Sequence, residues 1–346
     1  MSNQTCGAEQ LELSPEMVCC VTVTYGRRSE LLLSVLDAVR GQGVGRAIVV
    51  DNGASWPVKE ELLARYGNFA EVVEMCANTG SARGFKAGIS RAMEVGAEYI
   101  WLLDDDNRPK SGCLDALLST YRRLRLDLSA DCLAVLAFRP AAFSDGGGVI
   151  SWNRFYPRRG AFMGFHIYDI PYKLRRRLPW GGARVNETLP EVVYLDTGSY
   201  GGLFSHRAVS EAIGLPREDF LLYEDDREYT SRITRGGGRI ALVTAARVED
   251  MGISQPARRG GETSFGVFAR SDAALRIYYG IRNAVYFGAC CKQCDRFVFL
   301  INLYVYLAAI SMRAILAGRN DRCRLVMRAA KDGLAGRLGV NPEFPL

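Results

Sequence analysis

Three consecutive carboxylates, Asp104, Asp105 and Asp106, close the apolar run AEYIWLL at 97–103. Charges of one sign packed this closely at a strand end are costly unless a cation or several donors compensate them. In an extended segment Asp104 and Asp106 point to one side and Asp105 to the other, so the first and third would share one hard divalent ion. An ion of this kind bridges readily to phosphate oxygens. The same triplet would also serve as an acidic turn leading, past Pro109, into a helix. A second cluster, Glu224, Asp225, Asp226 and Glu228, follows the aromatic and apolar residues 220–223. One of its carboxylates would suit a general base that takes a proton from a hydroxyl nucleophile. Acidic residues also favour the first turn of a helix over 224–233, and the two roles are compatible.

The segment NTGSARGFKAG at 78–88 is rich in glycine and opens a helix, with Arg83 and Lys86 available to an anion. Backbone amides together with Arg83 would suit a nucleotide diphosphate. The segment fits neither GxxxxGK[ST] nor GxGxxG, which speaks against an ATPase or dinucleotide site. Ser205 beside His206 makes no recognisable Ser-His-Asp triad. Cys290, Cys291 and Cys294 form one CxxC without a second pair or a nearby His, so they predict a helix with small buried side chains rather than a zinc site.

These residues need elements to position them. Short β-branched or apolar runs at 18–24, 46–50, 69–75 and 97–103 each end in polar turn residues, and helical spacing at 31–39 and 89–95 falls between them. Strands alternating with helices predict an α/β fold with a mostly parallel sheet covered on both faces. Ligands of such sheets bind beyond the carboxyl ends of the strands, where Tyr25, Asp51, Asn78 and Asp104 all fall. Further strands are expected at 132–138 and 192–195, and helices at 208–213 and from residue 273 onward.

The 346 residues are 48% hydrophobic and 24% charged, which excludes a disordered or low-complexity chain and suggests a large α/β domain with an appendage. Lys and Arg number 44 against 38 Asp and Glu, a net +6 that is too mild for a general nucleic-acid binder. The basic residues concentrate in the stretch 151–184, where Arg154, Arg158, Arg159, Lys173, Arg175, Arg176, Arg177 and Arg184 face Asp169 alone, so it should meet an anion or an anionic membrane unless it is a solvated face. Residues 297–312 carry no charge but fall short of the roughly 20 needed to span a bilayer. Next to a basic segment they predict either peripheral contact with an anionic membrane or a helix buried on the main domain or in a homo-oligomer. No secretory signal is visible in residues 1–16, so the chain is expected in the cytoplasm, at most peripheral on the inner face of the membrane.

The order of the motifs VTVTYGR, VVDNGAS, NTGSARGFKAG, WLLDDDNRP, TGSYGGLFSHRAV and FLLYEDDREYTSRITRGGGRI, between about residues 18 and 252, resembles the family 2 glycosyltransferases. Within that family the chain looks most like the bacterial rhamnosyltransferase and galactofuranosyltransferase branch, including YYGIRN at 278–283. The resemblance implies a GT-A nucleotide-sugar-binding domain over 17–255 and a helical C-terminal region over 270–346. It implies inverting transfer, dependent on Mn²⁺ or Mg²⁺, of a sugar such as galactofuranose or rhamnose from a UDP- or dTDP-linked donor to a cell-envelope glycan or lipid-linked acceptor. Tyr25, Arg27 and Asp51 would contact the nucleoside, while Asn78, Arg83 and Gly84 would line the donor pocket. Asp104 and Asp106 match the metal positions, with Asp105 between them on the donor side. Asp226 matches the catalytic base and Asp225 its acidic neighbour. Gly201 and Gly202 match the loop that shapes the donor and acceptor sites. Many relatives place a His metal ligand where this chain reads RVEDMG, which puts Asp250, or else Glu249, in that role. The competing functions are a sugar-nucleotide or nucleotidyl transferase and a non-catalytic glycan-binding protein on the same fold.

Overall fold

The computed structural model describes residues 13–143, 152–171, 189–252, 274–291 and 295–346. Lys173, Arg175, Arg176, Arg177 and Arg184 of the basic stretch lie outside the described residues, as does Cys294. Strands β1 (Val18–Gly26), β2 (Arg46–Ala54), β3 (Ala70–Met75) and β4 (Tyr99–Asp104) pair in parallel in the order β3-β2-β1-β4. Helices α1 (Ser29–Arg40), α2 (Val58–Tyr66) and α3 (Ser81–Glu94) connect them, the first and third where the helical spacing at 31–39 and 89–95 predicts them. The register sets Thr24 opposite Asp51 and Val23 opposite Asp104, so the polar residues that end these strands arrive level at one edge.

The continuous apolar runs follow from burial on both faces. Alternate residues of β1 and β4, such as Cys20, Trp101 and Leu103, pack with Leu32, Val35 and Leu36 of α1 and with Leu114 and Leu117 of α4 (Cys113–Leu124). The intervening residues Val21, Val23, Ile100 and Leu102 pack with Phe85 and Ile89 of α3 on the other face. Close approach of α3 to the sheet depends on two glycines. A Cβ on Gly84 would come within 2.6 Å of Val23 Cγ1, and one on Gly88 would overlap Val21 Cγ1.

Beyond β4 the sheet continues through β8 (Leu203–His206), β6 (Leu133–Phe138), β9 (Arg239–Asp250) and the short β5 (Asn107–Pro109), with β7 (Val192–Leu195) also on β9. The parallel expectation holds for the first four strands and for β6 with β9, whereas β8 runs antiparallel between β4 and β6. The reason lies in the connection: β8 follows β7 through the short segment 196–202 and turns at Gly202, whose φ of +101° and contact with Ala137 admit no side chain. Helices α5 (Arg207–Ile213) and α6 (Asp225–Arg235) then cover that half.

Three C-terminal helices, α7 (Ala274–Tyr286), α8 (Arg296–Leu316) and α9 (Asn320–Leu334), build a separate core from Tyr278, Tyr279, Leu303, Tyr306, Val326 and Ala329. Helix α8 is longer than the uncharged run inside it, and its 21 residues reach a mean hydropathy of 1.8 over an 18-residue window, enough by length and composition to cross a membrane. One face of it packs on this core, while Phe297, Tyr304, Met312 and Ile315 are exposed. Buried Asn302 ties α8 to the basic stretch, accepting from Ile167 N (2.8 Å) and donating to Gly160 O (2.9 Å). Cys290 corrects the expectation of buried cysteines: α7 ends in a π-turn at 287–291 that leaves it exposed.

Gly84→Ala is expected to lower stability by about 1–2 kcal/mol despite the better helix propensity of Ala, because the added methyl overpacks Val23. Urea unfolding of the variant beside wild type checks this.

Candidate active site

The carboxyl edge of the parallel strands gathers the first acidic cluster. Strand β4 ends at Asp104, and Asp105 and Asp106 form a turn before β5. The strand alternation expected for the triplet therefore stops at its first member. Arg28, in the turn after β1, donates from Nε to Asp105 (2.9 Å) and from Nη2 to Asp106 Oδ2 (2.6 Å), so these two carboxylates share one guanidinium. Asp104 instead lies 3.7 Å from Arg139 Nη1, which also reaches Asp250 Oδ1 at 3.3 Å. Asn107 joins the two halves by donating to Asp106 Oδ1 (3.0 Å) and Asp250 Oδ1 (2.9 Å). Backbone crowds this cluster: a Cβ on Gly201 would come within 2.8 Å of Asp104 Oδ2, and one on Gly252 would overlap Asp106.

Burial raises Asp105 to about 6 against the opposing pull of Arg28. Asp104 shifts the same way, chiefly through desolvation, but 40% of its side chain is accessible and water screens part of the effect. Asp104, Asp105, Asp106 and Asp250 carry a formal −4 against +2 from Arg28 and Arg139, leaving −2 on hard oxygen donors, which suits a divalent cation in charge and chemistry. Among the described residues no three His, Cys, Asp or Glu side chains converge as a ready ligand set. The acids are turned onto Arg28, Arg139 and Asn107 instead.

The second cluster opens α6 behind an unusual loop. Leu221, Tyr223 and Glu224 have φ of +64°, +66° and +63°, a region that costs non-glycine residues about 1–3 kcal/mol each where the surroundings enforce it. The loop touches the helix that carries the glycine-rich segment: Leu221 O accepts from Ala82 N (3.2 Å), and Gly80 leaves no room for a Cβ beneath it. Asp225 is buried and accepts from Ser81 Oγ at 3.0 Å. Asp226 is half-buried and accepts from the Arg227 amide at 2.7 Å. Glu224 is held by Arg227 Nη1 at 2.8 Å. Desolvation, followed by the Asp226 charge, raises Asp225 well above the usual carboxylate range. Desolvation, followed by Glu224, raises Asp226 to about 6. The Asp104 charge adds a smaller push in the same direction to both, so the two acidic clusters act on each other electrostatically. A carboxylate poised near 6 is suited to taking up a proton at neutral pH.

The model of the family described as Glycosyl transferase family 2 matches residues 19–161, a span that contains the whole Asp104–Asp106 cluster. Over these residues the chain is similar to a family 2 glycosyl transferase domain. Galactofuranosyltransferase GlfT1 of Mycolicibacterium smegmatis is 42% identical over 107 residues, which are 30% of this chain and 35% of that protein. GlfT1 of Mycobacterium tuberculosis is 35% identical over 106 residues, 30% and 34% of the two chains. The matched segment thus spans about a third of the length of these relatives. The crystal structure of GalNAc-T7 with UDP, GalNAc and Mn²⁺ superposes with a TM-score of 0.53 at 13% identity, covering 92% of this chain and 57% of that one. The likeness establishes a GT-A fold for the glycosyl transferase domain.

The residues expected in the donor site have the following surroundings. Tyr25 is 40% exposed beside Arg28, with the guanidinium 5.0 Å from its ring. Asp51 caps the end of β2 by accepting from Ala54 N (2.8 Å). Asn78 accepts from Asn52 Nδ2 (3.2 Å) and Gly80 N (3.1 Å). Gly84 is buried under Val23 and serves helix packing. Arg83 and Lys86 both pair with Glu218 rather than lining an open anion cradle, and the Ala82 amide at the start of α3 is taken by Leu221. Gly201 lies against Asp104, and Gly202 packs on Ala137.

Arg27 is exposed, and its neighbour Arg28 makes the contacts with the acids. Arg28, Asn107 and Arg139 are site residues that sequence reasoning missed; only the doubled Arg in TYGRRSE gave a signal. Asn52 is another. It is buried and accepts from both the amide and the hydroxyl of Thr79 (2.9 Å each), joining the ends of β2 and β3.

A carboxyl held near 6 when folded and near 3.8 when unfolded binds its proton more tightly in the native state, so it lowers stability as pH rises through this interval. Asp226→Asn is therefore expected to melt at a higher temperature than wild type at about pH 8, with the difference vanishing by about pH 4. Thermal denaturation across this range checks the sign.

Proposed function

We propose that this chain transfers galactofuranose from UDP-galactofuranose to a hydroxyl of a cell-envelope glycan with inversion, and that Asp226 is the general base. The observation that carries the reading is the pair Asp225 and Asp226, which share an electrostatic site with the Asp104–Asp106 cluster of the glycosyl transferase domain. The similarity to GlfT1 proteins supports the choice of galactofuranose over rhamnose.

The two acids of the pair have different environments. Asp225 is 3% exposed and bonded to Ser81, which suits an electrostatic neighbour that fixes the helix start. Asp226 is the more accessible of the two. Its carboxylate takes the proton of the acceptor hydroxyl. The acceptor oxygen forms a bond to the anomeric carbon as the bond from that carbon to the diphosphate oxygen breaks, and the electron pair leaves with UDP. Asp104, Asp106 and Asp250 would hold a divalent cation, whose chemistry is to neutralise charge on the departing diphosphate. Arg28 pairs with Asp106, and Arg139 lies beside Asp104 and Asp250, which orients these carboxylates.

A panel of UDP-galactofuranose, other UDP-hexoses, dTDP-rhamnose and GDP-sugars, with alkyl glycosides as acceptors and with or without Mn²⁺ or Mg²⁺, tests the reading. UDP-galactofuranose should turn over with metal dependence, and Asp226→Asn should lower kcat by about 10²-fold or more with little change in donor KM. Turnover of dTDP-rhamnose alone would reassign the donor. An Asp226→Asn variant as fast as wild type would remove the base.

A further inference from the structure

We infer that Asn283, oriented by Arg282, is a positioning residue for the transfer reaction: it holds the strained loop 220–224 in the one conformation that presents Asp225 and Asp226. The inference rests on the reading of Asp226 as the base.

Both residues are polar and buried on α7, at 1% exposure for Arg282 and 0% for Asn283, far in sequence from the acids. The Asn283 amide nitrogen donates to three successive stations of the loop, Phe220 O (2.7 Å), Leu222 O (2.6 Å) and Tyr223 O (3.1 Å). An amide group offers two protons, so the three carbonyls share them and the loop must curl around one nitrogen. The curl coincides with positive φ at Leu221, Tyr223 and Glu224, conformations that relax unless the surroundings over-determine them.

The opposite end of the amide is fixed as well. Arg282 Nε donates to Asn283 Oδ1 at 2.9 Å, which settles which atom of the amide faces the carbonyls. The guanidinium lies 4.6 Å from the Tyr279 ring and 5.6 Å from that of Tyr278, and its Nη1 donates to Gly339 O at 2.6 Å. The clasp is thus braced by aromatic rings and by the segment after α9. It bonds to different carbonyls of the loop from those met by α3, whose Ala82 amide and Ser81 hydroxyl bond to Leu221 O. Loop 220–224 is therefore gripped between the glycine-rich segment and the C-terminal helices, and Asp225 and Asp226 follow it directly. Loss of the clasp would let the loop return to ordinary φ values and swing the start of α6, while the strand ends that meet the donor stay in place.

The test compares wild type, Asn283→Ala, Asn283→Ser and Asp226→Asn by UDP release from UDP-galactofuranose, measured well below each melting temperature, with donor binding followed by calorimetry. The expected result is a fall in kcat of about 10²-fold for Asn283→Ala, the scale of loss that a displacement of about 1 Å produces, with donor Kd within about twofold of wild type. Asn283→Ser retains one donor and should recover part of kcat. The inference is overturned if folded Asn283→Ala keeps kcat within about threefold of wild type, or if its loss appears in donor Kd. It is also overturned if neither variant folds, since the clasp would then serve global stability. Asp226→Asn separates the two claims: full activity in that variant removes the base itself, whereas an inactive Asp226→Asn beside an active Asn283→Ala removes only the clasp.

Discussion

Confinement of like charge organises this molecule. Asp104, Asp105, Asp106 and Asp250 meet at one sheet edge, and Asp225 and Asp226 enter the same electrostatic site from another segment. Such a cluster opposes folding, since each carboxylate loses hydration and repels its neighbours. The structure offsets part of the cost with Arg28, Arg139 and Asn107 at the first group and with Ser81 and the Arg227 amide at the second. The remaining negative charge makes the edge suited to a cation, and raised affinity for protons makes Asp226 suited to accept one. Stability is given up locally for chemistry, a recurring trade at functional sites.

The fold brings these groups together from distant parts of the chain. Parallel pairing of β1, β2 and β4 levels the strand ends, so Asp51 and Asp104 arrive at one edge through register alone. Gly84 and Gly88 let α3 lie flat against β1 and carry its first turn up to the loop before α6. The C-terminal helices have a core of their own, yet their buried Arg282 and Asn283 bond to that same loop. They belong to the site's architecture as much as the sheet does.

Much of this was legible in the sequence where one physical rule acts alone. Apolar runs closed by polar residues marked β1 to β4, and two-sided burial explains why the runs were continuous. The acidic clusters stood out because carboxylates at the end of a buried strand have no packing purpose. Reading failed where two influences compete. The Asp triplet did not alternate, because β4 ends at Asp104 and Arg28 draws Asp105 and Asp106 to one side. Arg27 and Arg28 cannot be told apart without the turn that aims one at the acids and the other at solvent. Arg83 and Lys86 pair with Glu218, a partner more than 130 positions away that no local pattern reveals. Asn283 was visible only as part of a motif, since its contacts are carbonyls, and carbonyls carry no sequence signature.

The central claim is a single displacement at the anomeric carbon, assisted by a carboxylate base in the shared acidic site. The anomeric configuration of the first-formed product, followed by proton NMR from the start of UDP-galactofuranose turnover, tests it most directly. A product of configuration opposite to the donor's is the predicted result. Retention of the donor's configuration would contradict the account, because it requires a second displacement or front-face attack that a lone base at Asp226 does not provide.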